Sequence, residues 1–275
     1  MGVLEINRPF DGLVVGGSIV MGMFFADNTV TLATMLMGLL TGMFLLGAMD
    51  AFNDYKDKES DAISKPHRPI PSGRVSDRLA LTITVVNTIV GLALALVLNW
   101  GAFLIAVCGV IIAVAYSKKF QRFFLAKNIV VSINLSLGFL FGFMVLSYNF
   151  TPEFFLMLTA ILIIAFNFEI HKDIIDYKAD AAHDIVTVPG KFGIQNATRI
   201  IIALYVVALT IALSFAFVKP LNFIFFVFFG FAILCAVVMF LLLLKDALRY
   251  FEVTRLLSNS MMTFVIVGII GLFGT

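Results

Sequence analysis

Nine apolar runs, almost free of charge, fill most of this chain, and they restrict what it can fold into more than any other feature. They lie at 11–26, 31–52, 78–98, 101–116, 127–148, 153–172, 196–217, 221–244 and 257–274. A helix needs about 20 apolar residues to cross a hydrocarbon layer about 30 Å thick. A backbone in lipid must satisfy its own hydrogen bonds, so only helices or a closed barrel can span. The runs are continuous rather than alternating, which argues against a barrel. The expected fold is an all-α membrane protein: a bundle of nine transmembrane helices with polar caps on one face, formed by residues 1–275 as a single domain. The composition agrees, with 61% hydrophobic and 13% charged residues, where a soluble domain is nearer one half and one quarter.

With nine spans in alternating direction, 18 of the 19 Lys and Arg residues lie on or beside one face, and only Lys219 falls on the other. The positive-inside rule makes the crowded face cytoplasmic. Of the acidic residues, only Asp27 and Glu153 lie on the outer face. The expectation is a multi-pass protein of the cell membrane. The opening stretch MGVLEINRPFDG carries Glu5, Arg8, Pro9 and Asp11 before the first apolar run and does not have the pattern of a cleavable signal peptide. Insertion through the first span is the simpler expectation. A net charge of +2 gives no bulk basicity for nucleic acid. The two cysteines, Cys108 and Cys235, sit inside apolar runs, which excludes a disulfide scaffold.

The scarce charges are patterned. From the end of the second run, Asp50, Asp54, Asp57 and Asp61 recur at spacings of four, three and four. At about 100° per residue they stay within roughly 60° of one another on a helix. From the end of the sixth run, Glu169, Asp173, Asp176, Asp180 and Asp184 follow at four, three, four and four, and the helix is expected to stop before Pro189 and Gly190. Like charges on one stripe repel, so a cation is expected beside each. Mg²⁺ takes hard oxygen ligands, commonly one or two carboxylates plus substrate phosphates. Two such stripes suit Mg²⁺ ions bridged by an anionic group, and a diphosphate fits that description.

Basic and polar groups accompany the stripes. Lys65, Arg68 and Arg74 follow the first, with Pro66, Pro69 and Pro71 fixing the backbone around Arg68. Tyr116, Ser117, Lys118, Lys119 and Arg122 fill the next connection on the same face. Cations and metals together suit phosphate oxygens, although Lys118, Lys119 and Arg122 equally fit topology anchors. His67, His171 and His183 lie near the stripes as candidate proton acceptors, although each alone fits a structural role better, and helix geometry turns His171 away from its stripe.

In these stretches the chain resembles the UbiA superfamily of intramembrane prenyltransferases. The first motif, N-D-x-x-D-x-x-x-D, is present as Asn53, Asp54, Asp57 and Asp61 and runs into Pro66-His67-Arg68-Pro69-Ile70-Pro71-Ser72-Gly73. The second, K-D-x-x-D-x-x-x-D, is present as Lys172, Asp173, Asp176 and Asp180, followed by Thr187-Val188-Pro189. Asn7-Arg8-Pro9 is similar to the opening of the family, and nine spans match it, so the resemblance covers the whole chain. Within the superfamily the chain is most similar to the archaeal digeranylgeranylglyceryl phosphate synthases. It departs from the usual pattern at Asp11, Asp50, Ala179 and Asp184.

The resemblance implies that Asp54, Asp57, Asp61, Asp173, Asp176 and Asp180 hold Mg²⁺ and carry catalysis. It implies that Arg8, Asn53, Arg68, Tyr116, Lys118, Lys119, Arg122 and Lys172 bind substrate. The implied reaction moves a geranylgeranyl group from geranylgeranyl diphosphate to the hydroxyl of geranylgeranylglyceryl phosphate, an ether-forming step of archaeal lipid synthesis. The same fold acting on an aromatic acceptor in quinone synthesis is the alternative. The thirty Phe and twelve Met residues offer an apolar environment for a prenyl tail. An ion transporter is disfavoured, because transporters place ionisable residues near the bilayer midplane and here charges gather at span ends.

Overall fold

The computed structural model describes residues 2–27, 29–115, 123–182, 185–215 and 222–273. The described residues form helices α1 (Gly2–Asn7), α2 (Pro9–Ala26), α3 (Leu32–Ser64), α4 (Asp77–Leu98), α5 (Trp100–Ala115), α6 (Ala126–Leu146), α7 (Pro152–Ala182), α8 (Val188–Phe192), α9 (Ile194–Ser214), α10 (Phe223–Asp246) and α11 (Phe251–Phe273), with no strand among them. The all-α expectation holds, and each expected span coincides with a helix. Seven helical stretches are long and apolar enough to cross a membrane by length and composition, while α5, with 16 residues, is shorter. By that measure the described residues support seven spans rather than establishing nine.

Local sequence sets the helix ends. Pro9 opens α2, where its missing N–H costs nothing. The side chains of Thr31, Ser76, Thr187 and Asn222 accept hydrogen bonds from the backbone N–H groups of Thr34, Leu79, Gly190 and Phe225, capping α3, α4, α8 and α10.

Two helices outrun their apolar runs. The second run ends near residue 52, yet α3 continues to Ser64, giving 33 residues or about 50 Å of helix. The sixth ends near residue 172, yet α7 continues to Ala182, giving 31 residues. Each extension carries acidic residues of one motif.

The chain divides into two compact units. One holds α1–α5 with the end of α6 from Leu137. Here α2 and α3 pack at backbone contact: a Cβ on Gly42 would lie 2.7 Å from the Gly16 Cα. A Cβ on Gly142 of α6 would lie 1.8 Å from the Ile19 carbonyl oxygen. Lipid tails are as apolar as leucine, so helices in a bilayer associate through such close approach rather than by escaping the solvent. Ile19, Met23, Leu45, Ala95, Ala102, Ala106, Phe141 and Val145 form the apolar core of this unit.

The other unit holds the first part of α6, to Ser136, with α7–α11. Its helices are joined by buried polar contacts. Asn167 donates to the Ile201 carbonyl at 2.9 Å, His171 Nε2 lies 3.0 Å from Thr254 Oγ1, and the Tyr205 hydroxyl meets Ser258. Such contacts contribute about 0.6 kcal/mol each in a membrane protein.

Candidate active site

The α3 extension brings the first motif together with two arginines from outside the helix. Asp50, Asp54 and Asp61 are buried, and Asp57 is half-buried. Arg8 donates through Nη1 to Asp50 Oδ1 at 3.2 Å and through Nη2 to Asp54 Oδ1 at 2.7 Å. Arg68 donates through Nη1 to Asp54 Oδ1 at 3.3 Å and to Asp61 Oδ2 at 2.6 Å. Both guanidinium groups thus meet on one oxygen of Asp54.

Each arginine is aimed by its backbone. Arg8 joins α1 to α2 in the left-handed region, with φ 41°, which costs a side chain with a Cβ about 1–2 kcal/mol. Pro9 already disfavours the right-handed helical region for the residue before it. The two ion pairs of Arg8 offset that strain. Behind it, Asn87 of α4 donates to Asn7 Oδ1 at 2.6 Å, and Asn7 donates to the Val3 carbonyl at 2.6 Å. Gly47 of α3 leaves room for this pair, since a Cβ there would lie 2.7 Å from Asn7 Oδ1.

Arg68 sits in the turn after α3. Its amide donates to the Lys65 carbonyl and its carbonyl accepts from the Ser72 amide, both at 3.0 Å. The turn is pinned by Ile70 and Val75, which pack with Ile6, Ala51, Ala80 and Ile83. Apolar packing of the turn therefore fixes a charged contact. Nearby, Arg74 pairs with Glu5, and this carboxylate raises the pKa of the exposed guanidinium above its ordinary value.

Asn53 is exposed and lies on a groove lined by Phe52, Thr84, Thr88 and Val110, not on the buried side with Asp54. His67 is exposed, and its carbonyl accepts from Arg74.

The α7 extension carries the second motif. Asp173 is fully buried, and both its oxygens are engaged: Oδ1 by Lys127 Nζ and Oδ2 by Asn128 Nδ2 at 2.8 Å. Lys172 donates to the buried Glu169 at 2.7 Å. Asp176 and Asp180 are half-buried. His171 faces Thr254 and the ring of Phe251, 5.4 Å away, so helix geometry correctly turned it from the stripe. Tyr116, Lys118, Lys119, Arg122, His183 and Asp184 lie outside the described residues.

The sequence reading missed Lys127 and Asn128 as site residues. Lys127 stands at the edge of an apolar run, where topology anchors also stand, so its position alone did not mark it.

The α3 donor set suits Mg²⁺. One nitrogen of Arg68 already lies on both Asp54 and Asp61, so these two hard carboxylates can share one small cation. No group of three His, Cys, Asp or Glu side chains able to hold a metal occurs among the described residues. An ion here would use one or two carboxylates and complete its shell with other oxygens, as Mg²⁺ does with substrate phosphates.

The model of the UbiA prenyltransferase family matches residues 15–252. A digeranylgeranylglyceryl phosphate synthase of Methanothrix thermoacetophila is 30% identical over 223 residues, 81% of each chain. The structure of a digeranylgeranylglyceryl phosphate synthase shares the fold with a TM-score of 0.76 at 22% identity, over 99% of this chain and 98% of that one. A UbiA homologue from Archaeoglobus fulgidus bound to GPP and Mg²⁺ gives a TM-score of 0.69 at 18% identity, over 98% and 100%.

Proposed function

Since the chain belongs to the UbiA prenyltransferase family, we propose that it makes the ether bond of an archaeal-type lipid. It transfers geranylgeranyl from geranylgeranyl diphosphate to the hydroxyl of geranylgeranylglyceryl phosphate, with Mg²⁺ as cofactor. Its similarity to the Methanothrix synthase supports this choice of donor and acceptor. The observation that carries the chemistry is the convergence of Arg8 and Arg68 on Asp54, with Asp61 sharing the Arg68 nitrogen. A seat built for cations at the end of an apolar helix suits a substrate with an anionic head and a greasy tail. The whole chain acts as one catalytic domain in a multi-pass membrane protein, and the skew of Lys and Arg supports a cytoplasmic active face.

In this mechanism Asp54, Asp57 and Asp61 hold Mg²⁺ on α3, and Asp176 and Asp180 hold it on α7. Asp173, with both oxygens engaged by Lys127 and Asn128, anchors rather than ligates. Bound Mg²⁺ neutralises diphosphate oxygens and makes the group a better leaving group. Arg8, Arg68 and Lys172 stabilise charge that grows on the departing oxygens. Tyr116, Lys118, Lys119, Arg122 and Asn53 belong to the substrate-binding set on the strength of the family resemblance. As the C1–O bond breaks, the allylic carbon is shielded from water by apolar side chains. The acceptor hydroxyl oxygen attacks C1 as the diphosphate leaves, its proton passes to the released diphosphate or to water, and the oxygen becomes the ether oxygen.

The test is transfer of labelled geranylgeranyl from its diphosphate, with Mg²⁺, to a panel of acceptors by purified protein. Ether product with geranylgeranylglyceryl phosphate is expected. Transfer only to 4-hydroxybenzoate would show an aromatic acceptor instead, and no transfer with Mg²⁺ flux in liposomes would show a transporter.

A further inference from the structure

On the reading above, we infer that Lys127 is a diphosphate-binding residue of this chain, and that Asp173 and Asn128 position its ammonium. Lys127 stands in the first turn of α6, and Asp173 in the extension of α7, 46 residues away in sequence. Asp173 has no exposed surface, and its two oxygens are both committed to the start of α6. A buried carboxylate held from both sides is a fixture. The ammonium it fixes is different, because the Lys127 side chain remains 27% exposed.

An ammonium has three N–H donors. One is directed at Asp173. The carboxylates of Asp180 and Glu169 also act electrostatically on this ammonium, so it lies among the acidic groups of the second motif. Lys172 is drawn to Glu169 within its own helix. Lys127 therefore brings to the α7 stripe a cation from another helix, tethered and oriented, with donors left for the oxygens of a ligand. A diphosphate drawn to Asp176 and Asp180 by metal would find this ammonium within the same cluster. Lysine is a common phosphate binder, acting as a point charge. Asp173 keeps that charge in place before substrate arrives, so no ordering of a long flexible side chain is needed at binding.

A purely structural ion pair between α6 and α7 makes a different prediction, and pyrophosphate binding separates the two. Affinity would be measured calorimetrically on the full chain in detergent with Mg²⁺, using inorganic pyrophosphate as the probe. Lys127→Met alone leaves a buried carboxylate without its cation and is expected to lower Tm by roughly 5–10 °C. The double variant Lys127→Met/Asp173→Asn removes both charges together and is expected to regain most of that loss. It should still bind pyrophosphate at least about tenfold more weakly than wild type, the loss of one charge-assisted contact. Lys127→Arg should bind within about threefold of wild type, because the charge is kept. A stable double variant with wild-type pyrophosphate affinity would overturn the inference and leave the prenyl-transfer reading standing. Wild-type protein that binds no pyrophosphate would overturn both.

Discussion

The stripes on α3 and α7 share a spacing of carboxylates but are held by different cations. On α3, two arginines reach in from outside the helix and bridge carboxylates in pairs: Arg8 joins Asp50 to Asp54, and Arg68 joins Asp54 to Asp61. On α7, two lysines each take one carboxylate: Lys127 meets Asp173, and Lys172 meets Glu169. A guanidinium is a rigid fork that can bind two oxygens at once, whereas an ammonium is a compact point charge on a flexible stem. The first stripe is thus gathered into a shared anionic seat. In the second, each ammonium is tied to a single carboxylate rather than bridging a pair. The α3 arrangement resists change at its arginines, and the α7 arrangement resists change at its one fully buried aspartate.

The largest effect should come from emptying either stripe. Asp54→Ala and Asp176→Ala are each expected to lower turnover by about 10³-fold or more, the scale of losing electrostatic stabilisation of a leaving group. Circular dichroism and Tm should show a folded protein in both cases. Full activity in one variant would mean that only the other stripe does chemistry.

The next effect separates the two kinds of cation. Arg68→Lys is expected to reduce kcat/KM about tenfold, because a flexible ammonium does not fix one donor between Asp54 and Asp61 as the planar guanidinium does. Lys172→Arg should change it by less than about threefold, since a single contact to Glu169 survives the exchange. Equal losses in the two would erase the distinction between bridged and singly held carboxylates.

A smaller effect tests how Arg8 is aimed. In Gly47→Ala the new methyl would meet Asn7 Oδ1 at 2.7 Å, and overpacking of this kind typically costs about 1–3 kcal/mol. A lowered Tm with a raised KM for the donor is expected, while a lowered Tm alone would detach the Asn7–Asn87 contact from Arg8. The smallest effect belongs to Asp50→Asn, which keeps an oxygen for Arg8 and should cost no more than about threefold in activity, within the range of one neutral-for-charged hydrogen bond.

Much of this was legible before any coordinates. The spacing of Asp50, Asp54, Asp57 and Asp61 placed them on one helix face, and the prolines around Arg68 marked it as fixed. The stripes also implied helices that outrun their apolar runs, as α3 does in continuing to Ser64. The partners across the sequence were not legible. Lys127 meets Asp173 over 46 residues, and Asn7 meets Asn87 over 80. Such pairs depend on which helices pack side by side, and a hydrophobic run carries no record of its neighbour. Lys127 was not singled out, because a lysine at a span edge fits a topology anchor equally well.

The central claim is that both aspartate motifs bind the metal that activates the diphosphate. Mn²⁺ is a paramagnetic stand-in for Mg²⁺, and bound ions can be counted by electron paramagnetic resonance in the presence of pyrophosphate. The account predicts that Asp54→Asn and Asp176→Asn each lower the bound Mn²⁺ relative to wild type. An unchanged count in both variants would contradict it.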